Sequence, residues 1–175
     1  MNKIITSDSI GSMGEVRITK RNSLTKSGRK AYGRGRIISV TDWMKNRIVS
    51  GIGGYGRNIL IRRLLSDNTY TGNITHADLG TGSTAAADSD TDLETGLARA
   101  QVGSSDIGND SGTIRFFFAD ALTPDATYRE FGTFIDGSVT LGTGRIFNRL
   151  ILTTPYVKAT GEDTTVEVRF TINPL

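Results

Sequence analysis

Thr164-Thr165-Val166-Glu167-Val168-Arg169-Phe170-Thr171-Ile172 sets Val166, Val168, Phe170 and Ile172 in strict alternation with Thr165, Glu167, Arg169 and Thr171. Successive side chains of an extended chain point to opposite faces, so this stretch predicts a strand with one face buried and the other in water. The same period recurs upstream. Residues 14–21 set Val16 and Ile18 against Glu15, Arg17 and Thr19, and further strands are expected at 37–43, 46–50, 73–79, 97–104, 113–121, 128–135 and 145–153. Turn signals fall between them at 108–112, Thr123-Pro124-Asp125, Asp136-Gly137, 142–144 and 161–163. Many short strands so spaced predict a mainly β protein, an antiparallel β-sandwich rather than a parallel α/β sheet. One short helix is expected in the N-terminal half, at 58–65. There Leu60, Ile61, Leu64 and Leu65 share the face expected to be buried, opposite Asn58, Arg62 and Arg63.

A chain of 175 residues is read as one structural domain. Within it, residues 1–50 make a basic N-terminal arm with strands, and 51–175 make the sandwich with its leading helix. With 21 glycines against 3 prolines, the composition suits strands joined by tight turns. Cysteine is absent, which removes disulfides, thiolate metal sites and cysteine nucleophiles. No apolar run approaches the ~20 residues of a membrane span, and Met1-Asn2-Lys3-Ile4-Ile5 does not read as a signal peptide.

Charge is divided sharply. Residues 1–66 carry 14 of the 21 lysines and arginines and only three acids, while 67–175 carry 7 basic side chains against 15 acids. A basic arm of this kind seeks an anionic partner. Lys26, Arg29, Lys30, Tyr32, Arg34 and Arg36 are the candidate partner contacts. Nucleic acid is disfavoured as that partner, because aromatics are not interleaved with the charges and no nucleic-acid-binding motif is present. The acidic surface of a neighbouring copy is favoured, since opposite patches on one molecule permit head-to-tail contact.

Four motifs carry the look of chemistry. Gly51-Ile52-Gly53-Gly54-Tyr55-Gly56 matches the dinucleotide fingerprint, with Asp78 near the place of a ribose-binding acid. No crossover helices follow to complete a parallel unit, so it is read as a turn that starts the helix. Asp88-Ser89-Asp90-Thr91-Asp92 alternates like a calcium loop, yet Leu93 and Arg99 stand where an EF-hand needs glycine and glutamate. It is read as a solvated loop. His76 is the only histidine and sits in an alternating segment, without a nucleophile elbow anywhere in the chain, so it is read as a strand residue. Paired carboxylates for glycoside hydrolysis single out no particular pair. No catalytic residue, cofactor or metal is expected.

A resemblance covers the chain from residue 14 onwards. It rests on Gly14-Glu15-Val16-Arg17-Ile18-Thr19-Lys20-Arg21, on Arg62-Arg63-Leu64, Asp67-Asn68-Thr69-Tyr70, and Leu79-Gly80-Thr81-Gly82-Ser83-Thr84-Ala85. Asp90-Thr91-Asp92-Leu93, Leu97-Ala98-Arg99, Tyr128-Arg129-Glu130-Phe131-Gly132-Thr133-Phe134, Arg145-Ile146-Phe147-Asn148-Arg149 with Lys158, and Thr165-Val166-Glu167-Val168 extend it. These stretches resemble small structural proteins of tailed bacteriophages, of the tail, fibre or decoration type. The resemblance implies a non-enzymatic virion protein that joins copies of itself and other virion proteins. A tail position (collar, baseplate or fibre attachment) is expected first and capsid decoration second. A carbohydrate-binding or nucleic-acid-binding module is the reading from another class, with Trp43 and five tyrosines as the supply of sugar-stacking rings.

Overall fold

A computed structural model describes residues 12–24, 28–30, 34–50 and 53–172. Each segment expected to be extended is a strand there: β1 (Ser12–Asn22), β2 (Ile37–Val40), β3 (Met44–Ile48), β4 (Ile74–Gly80), β5 (Gly96–Ile107), β6 (Ser111–Phe118), β7 (Ala126–Ile135), β8 (Arg145–Lys158) and β9 (Glu162–Ile172). The single α-helix among the described residues, α1 (Arg57–Leu64), lies where the apolar spacing put it. A 3-10 turn at Asp120–Leu122 leads from β6 to β7.

These strands do not stack as two sheets. β9 pairs with β6 on one edge and with the whole of β1 on the other, from Ser12 opposite Ile172 to Asn22 opposite Glu162. The circuit β1-β3-β8-β7-β4-β5-β6-β9 therefore closes, antiparallel throughout, and β2 is an additional strand on β1. The expected sandwich is corrected to an eight-stranded closed barrel plus one strand. Alternation specifies one buried face per strand, and a sandwich and a barrel satisfy that equally. The pairing of first and last strands separates them, and no local pattern encodes it.

β1 is the hinge of the arrangement. Its second edge is shared, with β3 opposite Gly14–Val16 and β2 opposite Thr19–Arg21. The basic N-terminal segment thus contributes a wall strand whose Val16 and Ile18 are fully buried. Inside the barrel these two meet Leu79, Phe116, Phe118, Phe131, Leu150, Val166 and Val168. Phe116 meets Phe131 edge to face, and Tyr128 stacks on Tyr156.

Much of the charge division resolves within the chain. Because β1 lies beside β9, Arg17 pairs with Glu167, Lys20 with Glu162 and Arg169 with Glu15. Arg47 and Arg57 both reach Asp88. Basic early sequence and acidic late sequence are neighbours across the closing seam.

Candidate assembly interface

The wall is stiffened by two buried ion pairs on its outer side. Glu130 on β7 is wholly buried and Arg149 on β8 is 3% exposed, with Arg149 Nη2 donating to Glu130 Oε2 over 2.8 Å and Nε over 3.0 Å. The same carboxylate accepts the backbone N–H groups of Gly82, Glu94 and Thr95 at 3.0, 3.0 and 2.7 Å. Arg149 goes on to Asp90 Oδ2 at 2.9 Å and the Thr84 carbonyl at 3.1 Å. One buried pair thereby ties the 81–95 loop against the barrel. Glycine is required at 82, where a Cβ would lie 2.5 Å from Glu130 Oε1. A carboxylate this fully engaged holds structure and has no lone pair to spare for substrate.

The second pair is Asp78 on β4 with Arg99 on β5, in charge contact at 2.8 Å and both almost wholly buried. Arg99 continues to the Thr140 and Thr143 carbonyls and lies over the Phe134 ring, so it fastens the 136–144 loop. Burial raises the Asp78 carboxyl to about 7, against the pull of the Arg99 charge and with a further push from Asp92. His76 is buried beside them with Nδ1 3.1 Å from Thr75 Oγ1. Burial and then the Arg99 charge lower its pKa. At the opposite end of the barrel Lys158 is buried between Asp120 and Asp125 at 2.7 and 2.9 Å.

The motifs singled out in the sequence take structural positions. Gly53, Gly54 and Gly56 hold positive φ in the turn before α1, and a Cβ at Gly56 would meet the Val49 carbonyl at 2.0 Å. Gly51 and Ile52 lie outside the described residues. Asp88 turns to Arg47 and Arg57, Asp90 to Arg149 and the Ala87 N–H, and Asp92 to the Leu93 N–H. The three carboxylates thus diverge. Among the described residues no group of three histidines or acids is arranged to hold a metal ion.

Of the candidate contacts, Arg29, Lys30, Arg34 and Arg36 are exposed, while Lys26 and Tyr32 lie outside the described residues. None of the ion pairs among described residues engages Lys30, Arg34 or Arg36. Beyond them begins β2, exposed along its whole length although three of its four residues are Ile37, Ile38 and Val40. Among the described residues β1 is its one strand neighbour.

The helix carries an outward apolar face that its spacing disguised. Ile59 is buried against Ile48, Ile135 and Phe147 and closes the barrel end where β7 finishes. Leu60, Ile61, Leu64 and Leu65, expected to face the core, point outwards instead, and Leu64 is 79% exposed. The correction has a simple cause. A helix that offers one isoleucine on one side and four large apolar side chains on the other does not say which side the barrel takes. Arg62, bonded to Asn58 and Asp67, and Arg63, bonded to Asn68, border the outward face. Leu60, Ile61, Leu64 and Leu65 thus form an apolar patch at the molecular surface. No family model, curated protein or solved structure matched the chain.

Proposed function

We propose that the chain is a non-enzymatic structural subunit of a tailed-phage virion that assembles with copies of itself and with other virion proteins. The observation that carries an assembly role is the outward apolar face of α1, which no side chain of its own barrel covers. The exposed apolar β2 and the cations Lys30, Arg34 and Arg36 support it from the other end of the molecule. Two buried ion pairs that fasten the long loops support a rigid block. The phage assignment and the tail position rest on the sequence resemblance, with capsid decoration as the other place such a block serves.

The sugar-binding reading loses ground at Trp43. Its ring is already engaged by the guanidinium groups of Arg17 and Arg169, at 4.6 and 4.4 Å from the ring centre, so a pyranose stacking there would compete with those contacts. Electron microscopy of particles labelled with antibody to this chain tests the proposal. Label at the neck or tail tip is the expected result. Label over the capsid faces would move the protein to the decoration class, and particles without label would overturn the virion role.

A further inference from the structure

A groove of about 430 Å³ runs along the outside of β1, between β2 and the outer face of β6 and β9. Arg17, Arg21 and Arg115 lie on its floor, and Ile37 and Val40 form one wall. Glu167 is shared between Arg17 and Arg115. Arg21 donates to the Gly35 carbonyl at 3.2 Å and meets no carboxylate among the described residues. Arg17 and Arg115 are paired with Glu167 and Asp106, which leaves Arg21 as the floor arginine without an ion pair among the described residues, beside apolar surface. A bare phosphate chain is a poor match, because one wall is hydrocarbon and a carboxylate stands on the floor. An acidic segment with an apolar side chain matches both features.

Such a segment stands on a projecting element of the chain itself. The β5–β6 turn reads Asp106-Ile107-Gly108-Asn109-Asp110, and Ile107 at its tip is 93% exposed. Asp106 is held by Arg115 of its own chain, whereas Asp110 engages no described side chain. The register places this turn at the end of the barrel where β1 begins, since Ser111 lies opposite Thr171 and Ser12 opposite Ile172. The groove lies towards the other end, where β2 joins β1 at Thr19–Arg21. Asp106 of the turn reaches Arg115 at the near end of its own groove, but Ile107 and Asp110 lie at the opposite end of the β1–β9 ladder from Arg21 and Ile37 of the same molecule.

We propose that the β5–β6 turn of one copy docks in the β1–β2 groove of the next, with Ile107 against Ile37 and Val40 and Asp110 against Arg21. Donor and acceptor surfaces differ, so the contact is head-to-tail and builds a ring or a filament rather than a closed dimer. This deepens the assembly reading above and rests on it for its biological setting.

Sedimentation of the purified full-length protein over a concentration series tests the contact. Wild type is expected to form species larger than a dimer. Ile107→Asp, at a site with no fold role, should weaken association by at least about tenfold, since it removes the one large apolar side chain delivered by the turn. Arg21→Glu and Asp110→Arg should each weaken it, and the double variant should recover association that both single variants lose. Unchanged association in Ile107→Asp, or a double variant no better than the singles, would overturn the docking. So would retardation of a nucleic-acid duplex that Arg21→Glu abolishes, which would assign the groove to phosphate. The same variants scored for particle labelling separate the two readings. A monomeric wild type that still labels particles sinks the turn-in-groove contact and leaves the virion role. Association without labelling does the reverse.

Discussion

Asp78 shows what burial does to a single carboxyl. Its pKa rises from an ordinary 3.8 to about 7, so the folded chain keeps a proton that the unfolded chain gives up near pH 4. The folded state then binds more protons than the unfolded one across that interval, and stability falls as pH rises through it. The contribution is complete below about pH 4 and gone above about pH 7. His76, whose pKa burial lowers, acts with the opposite sign below its ordinary 6.5 and is present in both proteins of the comparison. Wild-type stability measured against Asp78→Asn by urea denaturation should therefore decline from pH 4 to pH 7 and level off beyond. A difference that stays flat across that interval would mean the carboxyl is ionised throughout. None of this was legible in the sequence, where Asp78 was noticed only for its distance from a glycine motif. Its burial depends on the 136–144 loop that Arg99 draws over it, and that contact joins residues distant in the chain.

Among the elements, α1 separates what periodicity reveals from what it conceals. Its position and length were legible, because apolar residues three and four apart specify a helix with a face. The side that meets the core was not, since that depends on which surface the barrel end presents. Ile59→Ala should cost about 2–5 kcal/mol by opening a cavity among Ile48, Ile135 and Phe147. Leu64→Ser should change stability by no more than about 0.5 kcal/mol while reducing assembly with partner proteins. Urea unfolding and particle labelling read the two effects, and a large stability loss at Leu64 would show that this face is packed within its own chain. The strands were legible in number and place because apolar side chains recur with a period of two, most clearly in β1 and β9, and turn signals separate one segment from the next. The candidate cations were picked from charge alone, and of them Arg29, Lys30, Arg34 and Arg36 lie exposed among the described residues. Arg17, Arg21 and Arg115 of the groove were missed as a set, because they come from two strands that only β9 brings alongside.

For the whole molecule, closure is the property that most distinguishes the barrel from the sandwich expected of it. Closing the circuit removes the two free edges that an open sheet must protect, and among the described residues β2 lies outside the circuit with one edge unpaired. The N-terminal segment cannot then be a detachable arm. Removing residues 1–36 takes away β1, its eleven register pairs with β9, and the buried Val16 and Ile18. Such a chain should lose cooperative thermal unfolding in calorimetry. A truncated protein with a sharp transition would mean that β9 finds another partner. The seam itself also carries an optical label. Trp43 is the chain's only tryptophan, and its ring lies against both Arg17 of β1 and Arg169 of β9, the two strands whose union closes the wall. Indole emission is sensitive to adjacent charge and to water, so the intrinsic fluorescence of this protein reports on that one junction, free of competing signal from any other indole.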